Sequence, residues 1–333
     1  MKIILDAFGG DNAPQVPVNA AFTAAKKLDT EIILVGDEKL LNEYIHSKGY
    51  SDDRVHIVHA SEVISNSEAP ASAVRTKKDS SIAVAAGLLK DGRGDALVSA
   101  GSTGAVLTAA LTIVGRIRGV RRPALASVLP SASGGTLLLD CGANIDCRSE
   151  DLYNFAIMGN IYMKKIMKIE NPKVALLSNG EEEGKGNQLV KEAYELLSEA
   201  QNINFTGNCE GRDIMLDGAD VVVCDGFVGN VALKSVEGTA KMLSGYLKSM
   251  LLASVKTKIS AALMSGELKE FKRTFDYREY GGAPLLGIKR PVIKAHGASD
   301  ERSMFLALAQ AQKWVNGNVN DEIAELLGKK SNN

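Results

Sequence analysis

The stretch Val221-Val222-Val223-Cys224-Asp225-Gly226-Phe227-Val228-Gly229-Asn230 runs a buried-type strand into a turn holding a carboxylate, two glycines and an amide. The turn carries no serine or histidine, and Cys224 is the last residue of the apolar run. It can therefore position and polarise a substrate but supplies no nucleophile of its own. Four other strand ends have the same character: Asp6 to Asp11 with Gly9 and Gly10, Ser99 to Gly104, Asp140 to Asn144, and Ser178 to Glu181. Glycine in such turns lets the backbone approach a ligand, and free N–H groups at a helix start attract negative charge. The clearest case is Gly101-Ser102-Thr103-Gly104, where two glycines bracket two hydroxyls before a helix. This is neither G-x-G-x-x-G nor the G-x-x-x-x-G-K-[ST] loop, which disfavours dinucleotides and ATP. Lys185, flanked by Gly184 and Gly186, adds a cation; the other reading is a solvated lysine in an acidic turn. His296 in Ala295-His296-Gly297 is either a donor to an anion or a structural turn histidine. The set predicts a phosphate-sized ligand on a polar edge formed by all five strand ends.

Those turns need a scaffold, and the chain supplies one by alternation. Apolar runs ending at Asp6, Gly36, Ala60 and Gly101 are followed by ALASVLP, TLLLDCGAN, KVALLSNG, VVVCDGF and PVIKAHG, with helical spacing between many of them, as over 40–48 and 187–200. Buried strands alternating with helices predict an α/β fold with a mostly parallel sheet covered on both faces. No repeat or linker divides it, so residues 1–328 are expected to form a single catalytic domain and 329–333 a frayed tail. The formal net charge of −1 gives no bias toward nucleic acid. The four cysteines show no metal spacing, so buried free thiols in a reducing compartment are expected, with no metal and no cofactor. Met1-Lys2 leads straight into a strand, leaving no room for a signal peptide, and no apolar run approaches the roughly 20 residues that span a bilayer. A cytoplasmic protein is expected.

Taken together, LDAFGGDNAP, KKDSS, VSAGSTGA, RPALA, LLLDCGAN, NGEEEGKGN, NFTGNCEGRDI, VVVCDGFVGNVALK, EYGGAPLLGI and AHGAS resemble the PlsX-type phosphate acyltransferases of bacterial phospholipid synthesis. The resemblance runs from residue 1 to about 315 in the family's motif order. Phe8 and Asn12 stand where Met and His are more usual, and Ser102 where Asn is. The resemblance implies a three-layer α/β/α fold similar to isocitrate and isopropylmalate dehydrogenases and to phosphotransacetylase. It further implies a homodimer that converts acyl-[acyl-carrier-protein] and inorganic phosphate to acyl phosphate and free acyl carrier protein.

That chemistry asks little acid–base help. A phosphate monoester has a second pKa of about 6, inorganic phosphate is broadly similar, and a cysteine-like thiol leaves with a pKa of about 8.5. Orientation can contribute roughly 7–11 kcal/mol and one aimed oxyanion donor about 3–4 kcal/mol. With the resemblance, Lys185 is expected to offset charge on phosphate or the oxyanion, and Asn230 to polarise the thioester carbonyl or orient phosphate. The phosphate-binding set is Asp6, Gly9, Gly10, Gly101, Ser102, Thr103, Gly104, Asp140, Asn144, Asp225, Gly229 and His296. Within it Asp6, Asp140, Asn144 and Asp225 are expected to position loops, because a carboxylate touching a dianion is unfavourable.

Leu243, Leu247, Leu251, Val255, Ile259 and Leu263 repeat every four residues, and no Asp or Glu occurs from Gly238 to Gly266. Two readings stand: core or dimer interface, and a helical pair at about 236–275 whose apolar tip rests on an anionic membrane. The tip candidates are Leu251, Leu252, Val255 and Ile259. The resemblance favours peripheral contact with the inner face of the cell membrane, because acyl phosphate passes to a membrane glycerol-3-phosphate acyltransferase. Arg116, Arg118, Arg121 and Arg122, or Lys256 and Lys258, are candidate docking sites for an acidic carrier protein. Competing readings are acyl transfer from coenzyme A to phosphate, a decarboxylating NAD-dependent dehydrogenase on the same fold, and a non-enzymatic membrane scaffold. The dehydrogenase would need an aspartate cluster for a metal and a cofactor loop, and the scaffold leaves the polar strand ends unexplained.

Overall fold

Alternating burial organises the chain. The computed structural model describes residues 1–131, 134–274 and 277–328, so the expected tail at 329–333 and the expected end of the helical pair at 275 lie outside the described residues. The strands are β1 Lys2–Asp6, β2 Glu31–Gly36, β3 Val55–His59, β4 Ala96–Ser99, β5 Ala124–Leu129, β6 Thr136–Leu139, β7 Lys173–Leu177, β8 Asn204–Cys209, β9 Val221–Val223, β10 Ala283–Leu286 and β11 Val292–Lys294. The helices are α1 Gln15–Leu28, α2 Glu38–Lys48, α3 Pro70–Thr76, α4 Ser81–Lys90, α5 Thr103–Ala109, α6 Ser149–Tyr162, α7 Gln188–Ser198, α8 Gly226–Leu252, α9 Val255–Leu263, α10 Ser265–Thr274, α11 Glu301–Asn316 and α12 Val319–Gly328.

Successive strand residues face opposite sides. Ile3 and Leu5 of β1 join one core with α1, α6, α11 and α12, whereas Ile4 joins a second core with α4 and α5. Leu138 and Val222 face a third cluster packed on Leu233 and Val236 of α8, while their neighbours Leu137, Leu139, Val221 and Val223 return to the first. Both faces are thus covered, which is why the strands read as unbroken apolar runs. The fold is α/β in three layers.

The sheet has 11 strands in the order β3-β2-β1-β4-β11-β10-β5-β6-β9-β7-β8. Most neighbours pair parallel, but β11–β10, β10–β5 and β5–β6 are antiparallel. Three reversals turn the second half of the sheet against the first. The strand ends at Asp6 and Ser99 therefore point to one rim, and those at Asp140, Ser178 and Asp225 to the other. This corrects the expectation of a single edge carrying all five. The cause is local: only Pro130 to Gly135 separate β5 from β6, and only Gly287 to Pro291 separate β10 from β11. A parallel return needs a crossover of a dozen or more residues.

Candidate functional site

Between the two halves α5 and α8 lie on the same face of the sheet, and a cavity of about 400 Å³ opens between them over β5, β10 and β11. β4 and β6 have four residues each, about 13 Å, so turns from both rims reach it. Thr103, Gly104 and Leu107 of α5 form one wall, and Asn230, Leu233, Lys234 and Glu237 of α8 the other. Leu125 and Ser127 form part of the floor, with Tyr280, Lys294, His296 and Ser299 closing the end.

The start of α8 is pinned. Asp225 caps it, accepting from the N–H groups of Phe227 at 2.9 Å and Val228 at 3.0 Å. Gly226 and Gly229 are buried against the Asp140–Asn144 turn, where a β-carbon on Gly229 would strike the Asp140 carbonyl oxygen. One residue later Asn230 lies against Gly142 and faces the cavity. Asp140 is fully buried and accepts from the N–H groups of Leu125 at 2.9 Å, Ala143 at 3.1 Å and Asn144 at 2.7 Å, and from Asn144 Nδ2 at 2.9 Å. Asn144 also donates to the Pro123 carbonyl at 2.7 Å. Burial pushes the Asp140 carboxyl above the ordinary range, and the Ala143, Asn144 and Leu125 donors oppose that shift. Asp140 and Asn144 hold the turn beneath α8 together.

Asp6 plays the corresponding part in the other half. It accepts from Ser99 Oγ at 2.6 Å and the Phe8 N–H at 3.2 Å, and burial raises its pKa against those donors. Gly10 has φ of 93° and no room for a side chain, with the Ala100 methyl and the Gly297 carbonyl oxygen against it. Asp11 donates its N–H to the same carbonyl at 2.8 Å. Asp6, Gly9, Gly10, Gly101 and Ser102 line a second cavity, of about 230 Å³, beside the central one. Ser102 caps α5 through the Ala105 N–H at 3.2 Å.

Of the residues singled out from sequence, the central cavity therefore gathers Thr103, Gly104, Asn230 and His296. His296 Nδ1 accepts from the Ala298 N–H at 3.1 Å. Lys185 lines neither cavity. It is exposed, its stem lies against Gly180, and its neighbours Gly186 and Asn187 border a separate recess beside Asp225 and Val228. The cavity holds two cations that the motif reading passed over, Lys234 and Lys294. Lys294 had a signal, since it is the one charge in the otherwise apolar strand Val292-Ile293-Lys294. Glu237 and Tyr280 were also missed, being reached only through the packing of α8 and the chain before β10.

The thiols supply no nucleophile. Burial pushes Cys147 up to about 11 and Cys209 up to about 12, and it raises Cys141 and Cys224 well above the ordinary thiol value as well. Glu181, Glu210 and Asp213 form an acidic cluster of metal-ligand shape, but Arg212 reaches all three.

In the basic cluster, Arg121 is committed to the buried Asp151 through Nε at 2.9 Å. Arg116, Arg118 and Arg122 are exposed, and Lys289 joins Arg116 and Arg118 in one open groove. The four-residue stripe does not run along one helix: α8 ends at Leu252, and Ser254 caps α9 through the Thr257 N–H at 3.1 Å. Leu252, Val255 and Ile259 are exposed, as are Lys256 and Lys258, whereas Leu251 is half-buried. Among the described residues no helix is long and apolar enough to cross a membrane.

Comparison with known proteins agrees with this geometry. The fold is shared with solved phosphotransacetylases: that of Streptococcus pyogenes superposes with a TM-score of 0.65 at 20% identity, covering 95% of this chain and 94% of that one. A phosphotransacetylase of Staphylococcus aureus gives 0.61 at 18% identity over 95% and 94%. The family model described as fatty acid synthesis protein matches residues 1–322. A phosphate acyltransferase of Clostridioides difficile is 46% identical over 99% of this chain and 97% of its own. One of Thermoanaerobacterium thermosaccharolyticum is 48% identical over 98% of each. The chain belongs to this family, the PlsX-type phosphate acyltransferases. It is an acyltransferase enzyme.

Proposed function

We propose that the protein transfers a fatty acyl group from acyl-[acyl-carrier-protein] to inorganic phosphate in the cleft between α5 and α8. A phosphate oxygen would attack the thioester carbonyl carbon, a C–O bond would form and the C–S bond break. The electron pair would leave on the thiolate, which takes its proton from solvent. The observation that carries this reading is the cavity itself: two lysines, an amide and a hydroxyl-bearing helix start converge on one space.

In this reading Asn230 polarises the thioester carbonyl, since its amide donates without changing protonation. Its fixed place on the pinned first turns of α8 suits an oxyanion donor. Lys185 stands on the loop that borders the separate recess beside Asp225 and would offset charge on reactants entering there. The partly apolar lining from Leu107, Leu125, Val128 and Leu233 suits the start of an acyl chain. The exposed apolar residues of α8 and α9 would seat the protein on an anionic membrane or against a second copy of the chain. There acyl phosphate would pass to a membrane glycerol-3-phosphate acyltransferase for phospholipid synthesis. Arg116, Arg118 and Arg122 offer the acidic carrier protein a basic landing surface.

The test is incubation of pure protein with phosphate and either acyl-[acyl-carrier-protein] or acyl-CoA, with product mass as readout. Acyl phosphate formed faster from the carrier-protein thioester is expected. Faster formation from acyl-CoA overturns the donor, and none from either overturns the reaction.

A further inference from the structure

Lys294 is the last residue of β11, paired across to Ser99 of β4 on one side and to Ala283 of β10 on the other. Its side chain leaves the sheet on the α5 face. There it borders both the central cavity and a small apolar recess of Val106, Leu107, Leu125 and Leu285. The residue is half-buried, and its ammonium is tethered to the Ala295 carbonyl oxygen. Among the described residues it forms no ion pair. Asp6 and Asp11 favour its charge from a distance, Lys234 on α8 opposes it, and Glu237, Tyr280 and His296 line the same cavity.

A desolvated, unpaired ammonium is unfavourable by itself, and a buried charge is ordinarily answered by a partner. Here the partner's place is the cavity, and its charge must be negative. Resting on the acyl-transfer reading above, we infer that Lys294 is the binding residue that receives the phosphate substrate in the central cleft. Lys234 stands on the opposite wall, where its ammonium is ion-paired with Glu237 at 2.7 Å, so among the described residues Lys294 is the cation there without a carboxylate partner. The apolar stem contacts and the carbonyl tether hold the ammonium in place, so little side-chain freedom is lost when phosphate arrives.

The environment also sets a pH dependence. Desolvation lowers the Lys294 pKa to about 8, with Lys234 adding to the shift and Asp6 and Asp11 opposing it. The ammonium is present below that value and lost above it, so the KM for phosphate should rise roughly tenfold per pH unit beyond about 8. Bound phosphate favours the charged form and must raise the Lys294 pKa in turn.

The experiment uses the full chain with inorganic phosphate alone and lysine labelled with carbon-13 at Cε. The Lys294 resonance is assigned by its loss in the folded Lys294→Arg variant. The expected result is a lysine titrating near pH 8 that moves to higher pH with phosphate. In parallel Lys294→Met should raise the KM for phosphate on the order of 10- to 100-fold, with Lys294→Arg recovering part of it. A Lys294 titration unmoved by saturating phosphate, or an unchanged KM in Lys294→Met, overturns the inference. The two claims separate cleanly. Phosphate that shifts Lys294 without acyl phosphate being made sinks the acyl-transfer reading and leaves this one. Acyl phosphate made with an unchanged KM in Lys294→Met does the reverse.

Discussion

The two ends of α8 obey different rules. At its start, within six residues, a carboxylate caps the helix, two glycines are buried and an amide faces the cleft. Toward its far end Met242, Leu243, Tyr246, Met250 and Leu252 are all at least half exposed. Gly229 has no room for a methyl group, whereas nothing lies within 4 Å of a β-carbon placed on Gly245. One helix thus serves as a wall of the central cleft and as an apolar projection, and buried contacts decide which. Where the helix is pinned its side chains have fixed directions, as positioning catalysis requires. Where it is bare it presents area and no orientation, which suits a flat partner.

Three experiments test that division. The largest effect belongs to Asn230→Ala, which should lower turnover on the order of 10²- to 10³-fold while leaving the melting temperature nearly unchanged. Steady-state acyl phosphate formation beside a thermal melt would check it. Near-normal turnover would remove the amide from the chemistry. Next, Gly229→Ala should destabilise the protein by about 1–3 kcal/mol through forced contact with the Asp140 carbonyl. The same change at Gly245 should be neutral or stabilise by up to about 1 kcal/mol, because alanine is the better helix former in open space. Equal melting shifts for the two variants would erase the contrast. The smallest effect on the folded state belongs to the paired change Leu251→Asp and Leu252→Asp. It should alter stability by about 0.5 kcal/mol or less yet release the protein from anionic vesicles in a flotation assay. Unchanged flotation would move any membrane contact elsewhere.

Much of this arrangement was legible in the sequence. Strands buried on both faces must be apolar throughout, so β1, β2 and β9 could be read with little ambiguity. β8 and β10 were not: Asn204 to Cys209 mixes polar residues with Gly207 at φ 93°, and Ala283 to Leu286 is short and contains a proline. Strand direction was misjudged although its signal was present, in connections too short for a crossover helix around β5–β6 and β10–β11. That error carried into the site, since strand ends placed on one rim are in fact divided between two. Thr103, Gly104, Asn230 and His296 do meet, because α8 runs back over the sheet toward α5. Lys294 was overlooked because a motif search rewards glycine-flanked cations, and this one closes a strand. A lone charge in a buried strand deserves the same scrutiny as a glycine-rich turn.

The central claim is that phosphate lies in the cleft between α5 and α8. It is tested most directly by a crystal structure grown with inorganic phosphate. The account predicts a tetrahedral anion within hydrogen-bond reach of Lys294 Nζ and beside Asn230. An ordered phosphate found only in the Asp6–Ser102 cavity or at the Lys185 loop, with the central cleft empty, would contradict it.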